Sequence, residues 1–178
     1  NELRNVYLPP FRAAAEAGAA TFMCSFGDLD GIPATANDYL IRQILRGEWG
    51  FDGLVVSDWN SVKELVVHGL CEDARAAAKA AAGAGVDIEM AGDAYQEHLE
   101  SLVVSGQISI ETIDEMVLNV LRLKERLGLL EKPYTAPDED PPLLSEAAKE
   151  LAKDLATQSL VLLKNEDRSL PLKPAELS

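Results

Sequence analysis

Cysteine is scarce: the 178 residues hold only Cys24 and Cys71, far apart in sequence. That excludes a disulfide framework and a thiolate metal knuckle, both of which need clustered pairs at fixed spacing. The redox compartment stays undecided, and Cys24, inside an apolar run, reads as a small core residue. Histidine is as rare. His68 and His98 stand alone without ligand spacing, so no metal centre is expected. No apolar run approaches the ~20 residues needed to cross a bilayer. Positive charge is short, with 16 Lys and Arg against 30 Asp and Glu and a net charge of −14. Such a surface repels phosphate backbones and anionic membranes, so neither nucleic acid nor membrane is an expected partner. Its plain use is solubility. A phosphate loop is missing, because Gly83-Ala84-Gly85 precedes an apolar strand whereas a nucleotide fingerprint follows one. No serine sits in a nucleophile elbow.

What is present is a regular alternation. Pro9-Pro10 opens a helix over Phe11 to Ala17, stopped by Gly18. A short apolar strand runs from Ala20 to Cys24, and residues 25–35 form a loop. Asn37 can cap a helix over Asp38 to Arg46 that Gly47 ends. After the turn Trp49 to Gly53, Leu54 to Ser57 is a second strand. Helices follow from about Ser61 and over Asp73 to Ala82, then a third strand over Val86 to Met90. Two more helices cover Tyr95 to Ser105 and Ile110 to Leu127. In the last, Thr112 and Glu115 have capping-box spacing, and Ile113, Met116, Val117, Val120 and Leu121 make one apolar face.

Short, continuously apolar strands alternating with helices are the mark of a parallel sheet covered on both sides. Three strands do not complete such a sheet. The fold class is therefore α/β, the C-terminal part of a (β/α)8 TIM-like barrel, with a doubly wound sheet as the alternative. After residue 130 the composition turns to proline and acid. Residues 1–130 are expected to be the last strands and helices of the barrel, 131–145 a linker, and 146–178 the beginning of a second domain. In that last part a helix is expected over Glu146 to Ser159 and a strand over Leu160 to Leu163, with another starting at Leu170-Pro171-Leu172. The opening Asn1-Glu2-Leu3-Arg4 is neither a signal peptide nor a natural start, so a segment of a longer protein is expected.

Asp58 is the leading candidate for chemistry. It ends the run Leu54-Val55-Val56-Ser57 and is followed by Trp59. A carboxylate at the C-terminal end of a strand lies on the catalytic rim of an α/β barrel, and an adjacent indole offers an apolar platform, a pairing suited to sugars. The competing role is an N-cap for the helix near Ser61. Asp87 and Glu89 alternate with apolar residues on the third strand. One of them could face Asp58 as the second carboxylate of a glycoside hydrolase, or either could serve a structural polar layer. Asp28 and Asp30 read as turn formers beside Gly27 and Gly31. His98 reads as a helix-surface residue, and His68 as a helix C-terminal residue, where a cation is favourable.

At this point a family likeness can be named. Met23-Cys24-Ser25-Phe26, Asp30-Gly31-Ile32-Pro33-Ala34, Asn37, Leu45 to Phe51 and Val55-Val56-Ser57-Asp58-Trp59 resemble glycoside hydrolase family 3, in its bacterial, periplasmic-type β-glucosidase branch. Gly85 to Met90 resembles the family's last barrel strand. Leu160 to Glu166 with Leu170-Pro171-Leu172 resembles the start of its second, α/β sandwich domain, which the resemblance places over residues 146–178. The resemblance implies a retaining exo-acting β-glucosidase. Asp58 would be the nucleophile, Trp59 the aromatic on the aglycone side, and Met23, Phe26 and Met90 neighbours of the bound glucosyl unit. Many members carry Tyr where this chain has Phe26, but the related bacterial branch also uses Phe. The resemblance places the sugar-holding residues upstream of Asn1 and the general acid/base downstream of Ser178, which removes Glu89 from that role. It implies no cofactor, small β-glucosides or cello-oligosaccharides as substrate, the remainder of the same enzyme as partner, and a periplasmic or secreted location. Homo-oligomerisation stays open. The alternatives are a β-xylosidase or another exo-β-glycosidase of the family, and a silent carbohydrate-binding homologue. The one-domain N-acetylglucosaminidase branch does not suit the tail beyond Leu160.

Overall fold

The computed structural model describes residues 2–135, 143–166 and 170–172. It separates into two units, residues 1–133 and 134–178. The first opens with a wide helical turn, Leu3–Tyr7, that runs into α1 (Leu8–Glu16), with Pro9 and Pro10 at the junction, where they withhold two N–H donors. Strand β1 (Thr21–Met23) follows. A two-stranded antiparallel hairpin, β2 (Asp28–Leu29) and β3 (Ile32–Pro33), stands where an irregular loop was expected. Its turn residues Asp30 and Gly31 both have positive φ, 53° and 81°, the backbone that an Asp-Gly hairpin turn requires.

A π-helix, Tyr39–Glu48, leads into β4 (Leu54–Trp59). The Asn37 carboxamide accepts from Leu40 N at 3.1 Å, the expected cap. Then come α2 (Ser61–Val67), α3 (Ala74–Ala84), β5 (Ile88–Met90), α4 (Ala94–Val104) and α5 (Ile110–Arg126). The strands form one parallel sheet in the order β1, β4, β5, which is also their order in the chain. The α/β class with a parallel sheet is therefore what the sequence predicts.

One face of the sheet is covered. Val55 is buried there, and Phe51 meets Phe22 edge-on at 4.9 Å between ring centres. Helix α3 presents a row of alanines to the core: Ala77, Ala78, Ala81 and Ala82 are fully buried. Their small side chains let α3 lie close against its neighbours. Gly53 is required by proximity. A Cβ there would stand 2.4 Å from Ala20 O and 2.5 Å from the Phe51 ring.

Helix α5 corrects two expectations. Its cap is Ser109, whose hydroxyl accepts from Thr112 N at 3.2 Å, whereas Glu115 turns outward to Arg42 at 3.3 Å. Its buried face holds Met116 and Asn119, while Val117 and Leu121 are exposed. The stripe turns toward Asn119 because that amide has a partner in the core, described below. In the second unit α6 (Glu146–Ser159) matches expectation and is capped by Ser145. The strand expected over Leu160 to Leu163 does not form. These residues are exposed and have no ladder partner among the described residues, and a strand without a partner is only extended chain. Residues 170–172 form no strand either. Instead the Asn165 carboxamide clasps the Leu170 backbone through two hydrogen bonds.

Candidate active site

The C-terminal end of β4 is where the sequence candidates gather. Register places Met23 beside Val56 and Val56 beside Ile88. These three share the face opposite the covered core, and Met90, two residues past Ile88, shares it too. Val55 and Ser57 point the other way and are buried. Asp58 follows Ser57 in the chain and is half-buried. Trp59 pairs in register with Met90 and is 67% exposed. Phe26, in the loop after β1, is also exposed. So Met23 and Met90 share one open face, Trp59 pairs beside Met90, and Asp58 stands next to Trp59 at the strand end.

Asp58 is not a helix cap. Helix α2 begins after Asn60, which adopts the left-handed conformation, and no side chain caps it. Instead Asp58 Oδ1 accepts from Trp59 N at 2.6 Å. No hydrogen bond to Oδ2 occurs among the described residues. One oxygen is held by the backbone, which restricts the rotamer.

Between Val56 and Trp59 the ladder slips. Three steps on β4 match two on β5, from Ile88 to Met90, which is a β-bulge centred on Ser57 and Asp58. Bulges re-aim side chains, and this one lies at the candidate nucleophile. It is held from both sides. Met90 N donates to Ser57 Oγ at 2.8 Å, and Asn60 N donates to Met90 O at 2.8 Å.

The two other acidic candidates are occupied elsewhere. Asp87 is a buried structural hub. It accepts from Arg46 Nη2 and Val55 N, each at 2.7 Å, and from Asn119 Nδ2 at 2.9 Å. Burial pushes its carboxyl above the ordinary value, opposed by the Val55 and Asn119 hydrogen bonds and the Arg46 charge. Glu89 faces α4, and its Oε2 accepts from Tyr95 N at 2.7 Å in the first turn of that helix. Its carboxylate lies so close to Gly92 that a Cβ there would stand 2.0 Å from Oε1. Strand alternation accounts for both, since residues 87 and 89 point away from the face carrying Ile88 and Met90.

Behind the face Cys24 is buried, and burial pushes its thiol up to about 12. Thr35 and Ser61, also buried, share a hydroxyl hydrogen bond at 2.9 Å. Asp28 is a turn former, accepting from Gly31 N at 3.0 Å. His68 sits at the C-terminus of α2, as expected, and His98 is partly buried on α4 rather than fully at its surface. No cluster of His, Cys, Asp and Glu capable of holding a metal occurs among the described residues. Sequence reasoning missed Ser57 and Asn119. A serine inside an apolar strand carries no distinguishing pattern, whereas Asn119 is visible as a break in an apolar stripe.

Comparison with known proteins gives the family. Residues 1–123 match the family described as Glycosyl hydrolase family 3 N terminal domain. A periplasmic beta-glucosidase of Salmonella typhimurium is 39% identical over 177 residues, covering 96% of this chain and 23% of that protein. A beta-xylosidase of Formosa agariphila is 34% identical over 185 residues, covering 98% of this chain and 26% of that protein. The crystal structure of a beta-glucosidase from Listeria innocua in complex with glucose superposes with a TM-score of 0.82 at 43% identity, covering 96% of this chain and 24% of that one. The chain thus spans less than a third of the length of these relatives. With a family match over most of its length and a parallel-strand scaffold ending in Ser57-Asp58-Trp59, the chain belongs to glycosyl hydrolase family 3.

Proposed function

We propose that the complete protein carrying this chain is a retaining exo-acting β-glucosidase that removes terminal non-reducing β-D-glucosyl residues, with Asp58 as its nucleophile. The observation that carries the reading is the Asp58 carboxylate, pinned through Oδ1 at a strand end beside an exposed indole. In the first step Oδ2 bonds to the anomeric carbon as the glycosidic C–O bond breaks, and the departing oxygen takes a proton from a general acid. In the second step that same group, now a base, deprotonates a water that attacks the anomeric carbon and frees Asp58. Two inversions give net retention. Glu89 is committed to the α4 terminus, and the family resemblance implies an acid/base from a part of the protein outside these residues. No cofactor enters the chemistry.

Trp59 lines the aglycone side, and Met23, Phe26 and Met90 flank the glucosyl unit. Glucose and laminaribiose appear in the complexes of the Listeria innocua enzyme, which supports a β-glucoside substrate. The in-order parallel strands fit a (β/α)8 barrel and also one half of a doubly wound sheet, and the family match favours the barrel. Residues 1–130 form its closing part, 131–145 the linker, and 146–178 the start of an α/β sandwich. The Salmonella relative supports a periplasmic or secreted location. A second reading, β-xylosidase, is favoured by relatives of that name in Formosa agariphila and Emericella nidulans, the latter 38% identical.

The test is Asp58→Ala in the complete enzyme on aryl β-glucosides and β-xylosides. A loss of roughly a thousandfold or more in kcat is expected. Retention of wild-type kcat would remove Asp58 from the role. Trapping with a 2-deoxy-2-fluoroglucoside followed by peptide mapping must find the label on Asp58, and a wild-type protein without turnover on either sugar would indicate the silent homologue.

A further inference from the structure

The β-bulge at the end of β4 puts a buried hydroxyl between the two strands that carry the open face. Ser57 is fully buried, and its Oγ makes two hydrogen bonds. It accepts from Met90 N on β5 at 2.8 Å and donates to Asp58 O on β4 at 2.8 Å. The register slips from Val56–Ile88 to Trp59–Met90 across this same point. A bulge interrupts the regular ladder, so backbone on either side of it has fewer fixed partners than in an unbroken strand pair. The hydroxyl is a cross-strand bridge at that interruption. Through it the main chain of Asp58 is tied to the main chain of Met90, whose carbonyl is held in turn by Asn60 N at 2.8 Å.

We infer that Ser57 is a positioning residue for the nucleophile: its buried hydroxyl locks the bulge and so sets the direction of the Asp58 carboxylate relative to the sugar. The inference rests on the reading of Asp58 as nucleophile. Ser57 touches neither substrate nor reacting atoms. Its work is to hold Asp58 through the Asp58 carbonyl while the Trp59 amide holds Oδ1, so main chain and carboxylate are both fixed. A nucleophile displaced by ~1 Å can lose about a hundredfold in rate without any loss of binding, because proximity and alignment act on the chemical step.

The experiment compares wild-type, Ser57→Ala, Ser57→Thr and Ser57→Cys forms of the complete enzyme. Three quantities are read: kcat and KM on an aryl β-glucoside, the rate constant for covalent trapping by a 2-deoxy-2-fluoroglucoside, and the thermal midpoint. Ser57→Ala is expected to lower kcat and the trapping rate together by about ten- to a hundredfold, with KM within about twofold of wild type. Ser57→Thr, which keeps the hydroxyl, restores both rates to within about threefold of wild type. A merely structural serine would lower the thermal midpoint and leave kcat and trapping untouched in the folded fraction, and that result overturns the inference. Ser57→Cys covers the case in which the alanine form does not fold. Its weaker hydrogen bonds should slow trapping by about fivefold or more, and a wild-type rate overturns the inference. If the trapped label maps to a residue other than Asp58, the functional reading has failed, and that failure is separate from a result in which Asp58 is labelled at an unchanged rate in Ser57→Ala.

Discussion

Replacing Arg46 with methionine tests the buried hub on Asp87. Methionine keeps most of the apolar stem and removes the guanidinium. In the wild-type chain the Asp87 side chain is 2% exposed and that of Arg46 13%. Without the cation, Asp87 still accepts from Val55 N and Asn119 Nδ2, but its charge stands unbalanced in a dry site. Breaking a buried pair by removing one partner costs about 3–5 kcal/mol. Since two neutral donors remain, the low end, about 3 kcal/mol, is expected at neutral pH. The pH dependence reads the cause. Burial already raises the Asp87 carboxyl, and losing Arg46 raises it further. A group whose folded pKa lies above its unfolded value contributes stability while protonated and loses it as pH rises through the folded pKa. The Arg46→Met penalty is therefore largest at neutral pH and shrinks in mildly acidic buffer, where a proton removes the unpaired charge. The assay is urea unfolding of the complete protein in both buffers, with labelling of buried Cys24 marking the opening of this unit. An equal penalty at both pH values refutes the charge argument. A penalty below about 1 kcal/mol at neutral pH refutes the hub as a stabilising element.

Three further outcomes follow from the geometry. With its thiol pushed up to about 12, Cys24 should resist a thiol reagent in the native state while half-buried Cys71 reacts, and comparable labelling rates by peptide mass spectrometry would contradict its burial. Gly53→Ala should cost about 1–3 kcal/mol, because its Cβ would meet the Ala20 carbonyl and the Phe51 ring, and an unchanged urea midpoint would show that the turn yields. Trp59→Ala should leave stability within about 0.5 kcal/mol, since the indole is largely exposed, yet lower kcat/KM on a β-linked disaccharide by roughly tenfold; an unchanged kcat/KM removes Trp59 from the aglycone side.

The order of elements was legible because each apolar run is bounded by its own punctuation, such as Gly18 before β1 and Gly53 before β4. The family likeness was legible in the Trp49 to Trp59 block. The hairpin at residues 28–33 was missed although Asp30-Gly31 is a strong turn signal, because two-residue strands leave no alternation to read. The α5 cap was assigned to Thr112 because its spacing to Glu115 fits a capping box, but Ser109 also precedes the helix, and packing chose it. The carboxylates at 87 and 89 could be sorted only once the facing of β5 was known. Local pattern supplies alternation, while the choice of face comes from the partners: Arg46 and Asn119 for one, the α4 terminus for the other. Ser57 lay beyond sequence reasoning because a bulge is a property of two strands together.

The alanine face of α3 has a consequence for which changes this protein can absorb. Ordinary cores suffer most when a side chain is cut back and a cavity opens. Ala77, Ala78, Ala81 and Ala82 have almost nothing to cut back, so nearly every substitution there adds atoms to filled space. The mutational spectrum of this helix is therefore one-sided. Variation in homologues should be confined to Ala, Gly and Ser at these four positions, unless a neighbour shrinks at the same time.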